Sequence, residues 1–410
     1  MKIVDVAEFY SPNGGGVRTY IHQKMAAGSA LGHEVVIIAP GRERRTEQRD
    51  GGRIEFVPAQ PLIVDRNYGL FWNFGPVHAL LDAERPDVVE ASSPWTASWI
   101  VAAWRGPAAK VHFLHADPVG AHAYRWFGRL LRYSTIDWLC HGYWLHLRAL
   151  ARRYDATVMS GEWLARRVRS HGVPNVVAVP FGVDTARFSP DLRNPALRRD
   201  LLALCGLGED ALLVLGVGRL HDEKRWPLVM RATQDPSLPR KAGFVHVGDG
   251  VDRAIVERVA RGLPHVRLLG PVTDQARLAA IYASADVLMH GSGIETFGLV
   301  IAEAMASGVP FVAPNGFGAA DLAHPDHAEL FRPDSRREAV KALARFMARD
   351  RAAMSAAAVR AAARLGTPRD HFQRLFGLYA QLSARRASAR GQAGIAAQLP
   401  ALGQGAPYPA

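Results

Sequence analysis

Apolar residues in the first 180 positions gather into short runs, separated by stretches in which they recur every three or four places. The runs at residues 2–9, 34–39, 87–91, 110–115 and 175–179 predict strands, and the stretches between them predict helices. A second series starts at 212–218 and continues through 243–250, 266–270, 286–290 and 310–313. Strands alternating with helices belong to open, mostly parallel α/β sheets, and two such series predict two doubly wound domains. Between them the segment from Pro180 to Pro190 carries turn residues without periodicity and is read as a linker, which sets expected domains at 1–182 and 183–370. Residues 339–390 are rich in Ala and Arg with a helical pattern. From Gly391 little but Gly, Ala, Gln and Pro remains, so 391–410 is expected to be a disordered tail.

The stretch His290-Gly-Ser-Gly-Ile-Glu295-Thr-Phe-Gly-Leu-Val-Ile-Ala-Glu303 carries the clearest chemistry. A buried strand ends at its start, and residues 297–307 have helical spacing closed by Gly308. The first amides of a helix lack intrahelical partners and sit at the positive end of its dipole, so Phe297, Gly298, Leu299 and Val300 predict a receptor for a diphosphate. Glu295 before this anion site and Glu303 inside the helix can accept hydrogen bonds from hydroxyls on either side of it. That pattern describes a nucleotide-sugar site.

Three further segments add to it. After the strand at 212–218, Arg219 and Lys224 present two positive groups, which would stabilise a departing diphosphate without a metal. His115 ends an apolar strand, the position where ligands bind in α/β domains. Near the start, Pro12-Asn-Gly14-Gly15-Gly16 joins a strand to a helix expected from Val17, and its backbone can approach a sugar or phosphate closely. It lacks the Gly-x-Gly-x-x-Gly spacing of a dinucleotide fingerprint.

The spacing Glu-x7-Glu around Phe-Gly-Leu, followed by Glu-Ala-Met-Ala-x-Gly-x-Pro, closely resembles the signature of retaining glycosyltransferases of family 4, the group 1 glycosyltransferases. The resemblance runs from about residue 2 to 383. It implies the GT-B fold, two Rossmann-like domains facing each other across a cleft, with helix 371–383 packing back on the acceptor-side first domain. It implies that Glu295 contacts the donor sugar and Glu303 holds the ribose. Gly-Arg-Leu-x3-Lys is similar to the family's phosphate-binding motif, so Arg219 and Lys224 take that role. His115-Ala-Asp resembles the segment whose His lies near the reacting carbon, with Ala116 in place of the usual hydroxyl residue. Gly15 and Gly16 fall on the Gly-Gly-x3-Tyr loop, Val272 on a contact to the base, and Asp321 on an acidic position to which no role is assigned.

Composition narrows the class. The chain has 410 residues, 49% hydrophobic and 21% charged, as in soluble globular proteins. Cys140 and Cys205 are its only cysteines, which predicts a reducing, cytoplasmic setting and no metal cluster; no cofactor is expected, the nucleotide-sugar being a substrate. The net charge of +12 suits nucleic acid, anionic lipid or a phosphorylated substrate. Aromatic RNA-binding motifs and zinc spacing are missing, which leaves charge as the only support for a nucleic-acid partner. Residues 118–180 hold nine Arg against three acids, and Tyr124-Arg-Trp-Phe-Gly-Arg-Leu-Leu-Arg interleaves Arg with aromatics. Such a surface is expected either to dock peripherally on anionic lipid and take a lipid-linked acceptor, or to pack its aromatics in a core. The expected activity is transfer of a hexosyl unit from a UDP- or GDP-sugar to an acceptor hydroxyl. A nucleotide-sugar epimerase or a phosphorylase-like enzyme of similar fold stands as the alternative.

Overall fold

A computed structural model describes residues 1–11, 16–61, 69–128 and 130–398. Among the described residues, ten strands occupy the first part of the chain: β1 Lys2–Val6, β2 Glu34–Gly41, β3 Arg45–Arg49, β4 Gly52–Pro58, β5 Gln60–Pro61, β6 Gly69–Leu70, β7 Val88–Ala91, β8 Ala109–Leu114, β9 Ala156–Met159 and β10 Val176–Ala178. All but β5 and β6, which pair with each other, lie in one sheet of order β10-β9-β8-β7-β1-β2-β4-β3. The strands β7, β1, β2 and β4 run parallel, and β3 is an antiparallel edge against β4. The inner strands are mostly apolar and buried along nearly their whole length, as expected where both faces of a parallel sheet are covered. Hence Ile3, Val4, Val36, Ile38, Val88 and Val89 are fully buried.

The chain forms two compact units. The first comprises Met1–Phe113, Leu147–Thr157 and Phe372–Ala410, the second Leu114–His146 and Val158–His371. This differs from a division at 182/183. Residues 158–182 join the second unit because helix Glu162–Ser170 is tied to helix Phe317–Leu322: the Trp163 amide and the Arg166 guanidinium donate to Asp321 at 2.5 and 3.0 Å, and the Trp163 ring lies 4.2 Å from Phe317.

Charge as well as apolar contact holds the first unit together. Lys24, on helix Gly16–Ala30, is fully buried with its ammonium 3.0 Å from Asp5 and 2.5 Å from Glu90. Ser92 donates to Asp5 at 2.6 Å, and the Tyr379 hydroxyl donates to Glu90. Burial and the facing Glu90 charge push the Asp5 carboxyl upward. Burial alone would lower the Lys24 pKa, but Asp5 and Glu90 outweigh it and keep the ammonium charged. Phe372 packs 5.4 Å from Tyr20, Phe376 packs 5.2 Å from His33, and Arg386 pairs with Asp155 at 2.9 Å, so the last helix is anchored between Phe372 and Arg386. That helix spans Pro368–Gln398 and enters the segment expected to be disordered, since Ala, Gln and Arg are good helix formers. Its start is a capping box: the Thr367 hydroxyl accepts from the Asp370 amide at 3.2 Å, and the Asp370 carboxylate accepts from the Thr367 amide at 2.7 Å.

The second unit contains a six-stranded parallel sheet: β11 Leu212–Val217, β12 Ala242–Val247, β13 Val266–Gly270, β14 Val287–Met289, β15 Phe311–Pro314 and β16 Ala328–Phe331, in the order β13-β12-β11-β14-β15-β16. The order reverses between β11 and β14, which pair directly through Val214 with Val287 and Leu215 with Leu288. A crevice opens beyond the carboxyl ends of the strands where such a reversal occurs, and ligands of open α/β sheets bind there. The loops that leave these two strands begin at Gly218 and His290.

Candidate active site

The loop after β14 leads through Ser292 and Glu295 to Gly298, which adopts φ +93° and caps helix Leu299–Ala306. Any other residue would be strained in that left-handed conformation. The helix therefore begins at Leu299, two residues later than the periodicity predicts, and only Leu299 and Val300 of the four expected residues lie in its first turn. Phe297 serves the core instead, buried with its ring 5.3 Å from Phe181. Its backbone is met so closely by helix Phe317–Leu322 that a Cβ at Gly318 would fall 2.6 Å from it, and the Gly318 amide donates to the Glu295 carbonyl at 2.6 Å.

The loop after β11 turns through Asp222–Lys224 and brings Lys224 to Glu295, with the ammonium 2.6 Å from Oε2. Arg225 shapes this turn. It takes φ +51° and is held there by ion pairs to Asp222 at 2.9 Å and Asp334 at 2.8 Å. The two loops touch: a Cβ on Gly291 would lie 2.6 Å from the Lys224 carbonyl, so only glycine fits. Burial alone would raise the Glu295 pKa, but Lys224 and His290 hold the carboxyl well below the usual range, and it is ionised throughout the neutral region. His290 is 1% exposed, with Nε2 3.4 Å from the same Oε2. Sequence reading did not single out this histidine, one of sixteen in the chain. Its position at the end of β14, beside the motif, is the signal that could have found it. Arg219 does not join the cluster. Its side chain is 70% exposed and pairs with Glu223 at 3.3 Å.

Glu303 lies about one turn into helix Leu299–Ala306. The Tyr282 hydroxyl donates to it at 2.7 Å from helix Gln275–Ser284. Burial pushes its pKa up to about 7, against the opposing effects of Tyr282 and Arg187. A carboxyl poised at neutral pH can accept from a hydroxyl when ionised and donate to one when protonated. Val272, after β13, is half-buried against the same core.

His115 belongs to the second unit, where its carbonyl accepts from the Thr296 hydroxyl at 3.2 Å, next to Glu295. The segment after it is braced by Arg167, which no motif marks. Arg167 pairs with Asp117 at 2.7 Å and Asp137 at 2.8 Å and lies over the rings of Tyr124 and Trp144 at 4.9 and 5.1 Å. Gly16 is the exposed first residue of its helix in the first unit, with open space where a Cβ would be, and Gly15 lies outside the described residues.

Known proteins match this arrangement. Residues 14–187 match the family described as Glycosyltransferase Family 4, and residues 211–349 that described as Glycosyl transferases group 1. A GDP-mannose-dependent alpha-mannosyltransferase of Mycobacterium tuberculosis is 31% identical over 81% of this chain and 84% of its own. A GDP-mannose-dependent alpha-(1-6)-phosphatidylinositol dimannoside mannosyltransferase of the same species is 29% identical over 83% of this chain and 86% of its own. In fold, the chain is similar to a sucrose-phosphate synthase of Thermosynechococcus elongatus, with a TM-score of 0.73 at 19% identity over 94% of this chain and 99% of that one. With its two parallel-sheet domains, its motifs at the β11/β14 reversal and these matches, the chain belongs to the group 1, family 4 glycosyltransferases and is a GT-B hexosyltransferase using a nucleotide-sugar donor.

Proposed function

We propose that this enzyme transfers a mannosyl unit from GDP-mannose, with retention at the anomeric carbon, to a hydroxyl of a lipid-linked acceptor. The observation that carries the reading is the Lys224–Glu295 pair at the β11/β14 reversal, beside the start of helix Leu299–Ala306. Glu295 accepts a hydrogen bond from a sugar hydroxyl, while Lys224 and the first-turn amides offset charge on the diphosphate as its bond to the sugar breaks. The acceptor oxygen forms the new bond on the same face, and its proton passes to the departing phosphate oxygen. Glu303 holds the ribose, and Arg219 swings from Glu223 to the diphosphate. The mannose donor is supported by both mycobacterial relatives, each named as a GDP-mannose-dependent mannosyltransferase.

Thermal shift with GDP-mannose, GDP and UDP-glucose tests the donor. A ligand at about 100 times its dissociation constant stabilises by about 2.7 kcal/mol, so GDP-mannose is expected to raise the unfolding temperature well above UDP-glucose at equal concentration. The reverse order would overturn the mannose reading. Glu303→Ala is expected to weaken GDP itself, because a ribose contact is made before and during reaction alike.

Exposed apolar side chains support the lipid acceptor. Trp126 is 59%, Leu130 84% and Trp138 74% exposed, with Phe127 and Leu139 also exposed beside them in sequence, and Arg132 accompanies them. Aromatics settle at a lipid interface while Arg attracts anionic headgroups. Among the described residues no helix is long and apolar enough to cross a membrane. The protein is expected to co-sediment with vesicles containing anionic lipid and to lose that binding at high salt or after Arg132→Glu with Trp126→Ser and Trp138→Ser. Retention in the supernatant at low salt would point to a water-soluble acceptor.

A further inference from the structure

We infer that His290 is a positioning residue that fixes the Glu295 carboxylate from within the protein, leaving Lys224 able to serve the donor diphosphate. The inference rests on the reading that Glu295 holds the donor sugar. His290 is itself rigidly placed: its amide donates to the Val312 carbonyl at 2.9 Å, extending the β14–β15 pairing, and its ring is enclosed. The charged groups facing that ring are Glu295, Lys224 and Glu223. Burial and Lys224 lower its pKa and the two carboxylates raise it, with the net shift downward, which favours the neutral imidazole. A neutral ring carrying its proton on Nε2 donates to Oε2 without adding a charge to the site.

Geometry gives this donor a task. Nε2 is buried and has no well-formed hydrogen bond, and the Glu295 Oε2 carboxylate oxygen faces it at 3.4 Å. A buried N–H left without an acceptor is costly, so the contact favours a small turn of the carboxylate toward the ring. Lys224 occupies the same oxygen at 2.6 Å. An ammonium so close to a carboxylate has much of its charge cancelled, whereas stabilising a diphosphate needs that charge free. With His290 holding Oε2, the ammonium can lean toward phosphate while Glu295 keeps its place for the sugar hydroxyl.

Two variants separate this role from simple space filling. His290→Leu fills a similar volume without a donor, and His290→Gln restores an N–H at about the place of Nε2. Calorimetry with GDP and GDP-mannose is expected to show that His290→Leu binds GDP like the parent but loses about tenfold or more of the extra affinity for GDP-mannose. Single-turnover transfer should fall in step, and His290→Gln should recover most of both. If His290→Leu weakens GDP and GDP-mannose equally, or leaves their ratio unchanged, the positioning role is wrong. Glu295→Ala is the control for the underlying reading. If that variant keeps the parental ratio, the sugar contact itself fails, whatever His290 does.

Discussion

Replacing Glu295 or Lys224 by alanine is expected to lower single-turnover transfer by on the order of 10²-fold or more, with the fold intact. Under the proposed function each loss has its own cause: Glu295→Ala would take from the sugar the acceptor that orients its reacting carbon, and Lys224→Ala would take an ammonium from the charge growing on the diphosphate. The pair also contributes to stability, with a sign that pH reveals. The Glu295 pKa is depressed in the folded protein, so its stabilisation is present above the unfolded carboxylate pKa and lost as pH falls through the folded value. Glu295→Ala should therefore cost stability at pH 7 and progressively less on acidification. Near-parental transfer rates in both variants would remove the proposed site, and this measurement is independent of which nucleotide the enzyme prefers.

The largest stability effect is expected at Lys24. Lys24→Met removes the cation paired with Asp5 and Glu90, leaving two carboxylates buried together, at a cost of about 3–5 kcal/mol. Asp5, already pushed upward by burial, should then take up a proton, so the deficit is expected to narrow between pH 7 and pH 5. Adding Glu90→Gln to Lys24→Met should return part of the loss, because it removes one of the stranded charges. Urea unfolding followed at both pH values measures this. A loss under about 1 kcal/mol that is independent of pH would show that the cluster contributes packing rather than ion pairing.

The hairpin β3–β4 shows how a legible signal was passed over. Its first strand, Arg45–Arg49, is polar and lies at a sheet edge, so no alternation betrays it. The turn does betray it: Asp50-Gly51 adopts φ +51° and +76°, which suits the two-residue connection favoured between antiparallel strands. The strands β9, Ala-Thr-Val-Met, and β16, Ala-Glu-Leu-Phe, were missed because a polar residue interrupts each apolar run, unlike the still shorter Val-Leu-Met run of β14. Lys24, Asp5 and Glu90 read individually as ordinary charged residues of a helix and two strands, and nothing along the chain shows that they meet.

By itself the sequence determined the α/β alternation, the strand-loop-helix around Glu295 and the family, because these depend on local periodicity and on residues close together in the chain. Only the tertiary structure decided that Lys224 reaches Glu295 across 71 positions, that His290 faces the same oxygen and that Arg219 turns away to Glu223. The physical reason lies in the strand order. β11 and β14 are far apart in sequence but neighbours in the sheet, so the loops at their carboxyl ends meet. A pattern of apolar residues specifies that a strand exists and says little about which parallel neighbour it will take.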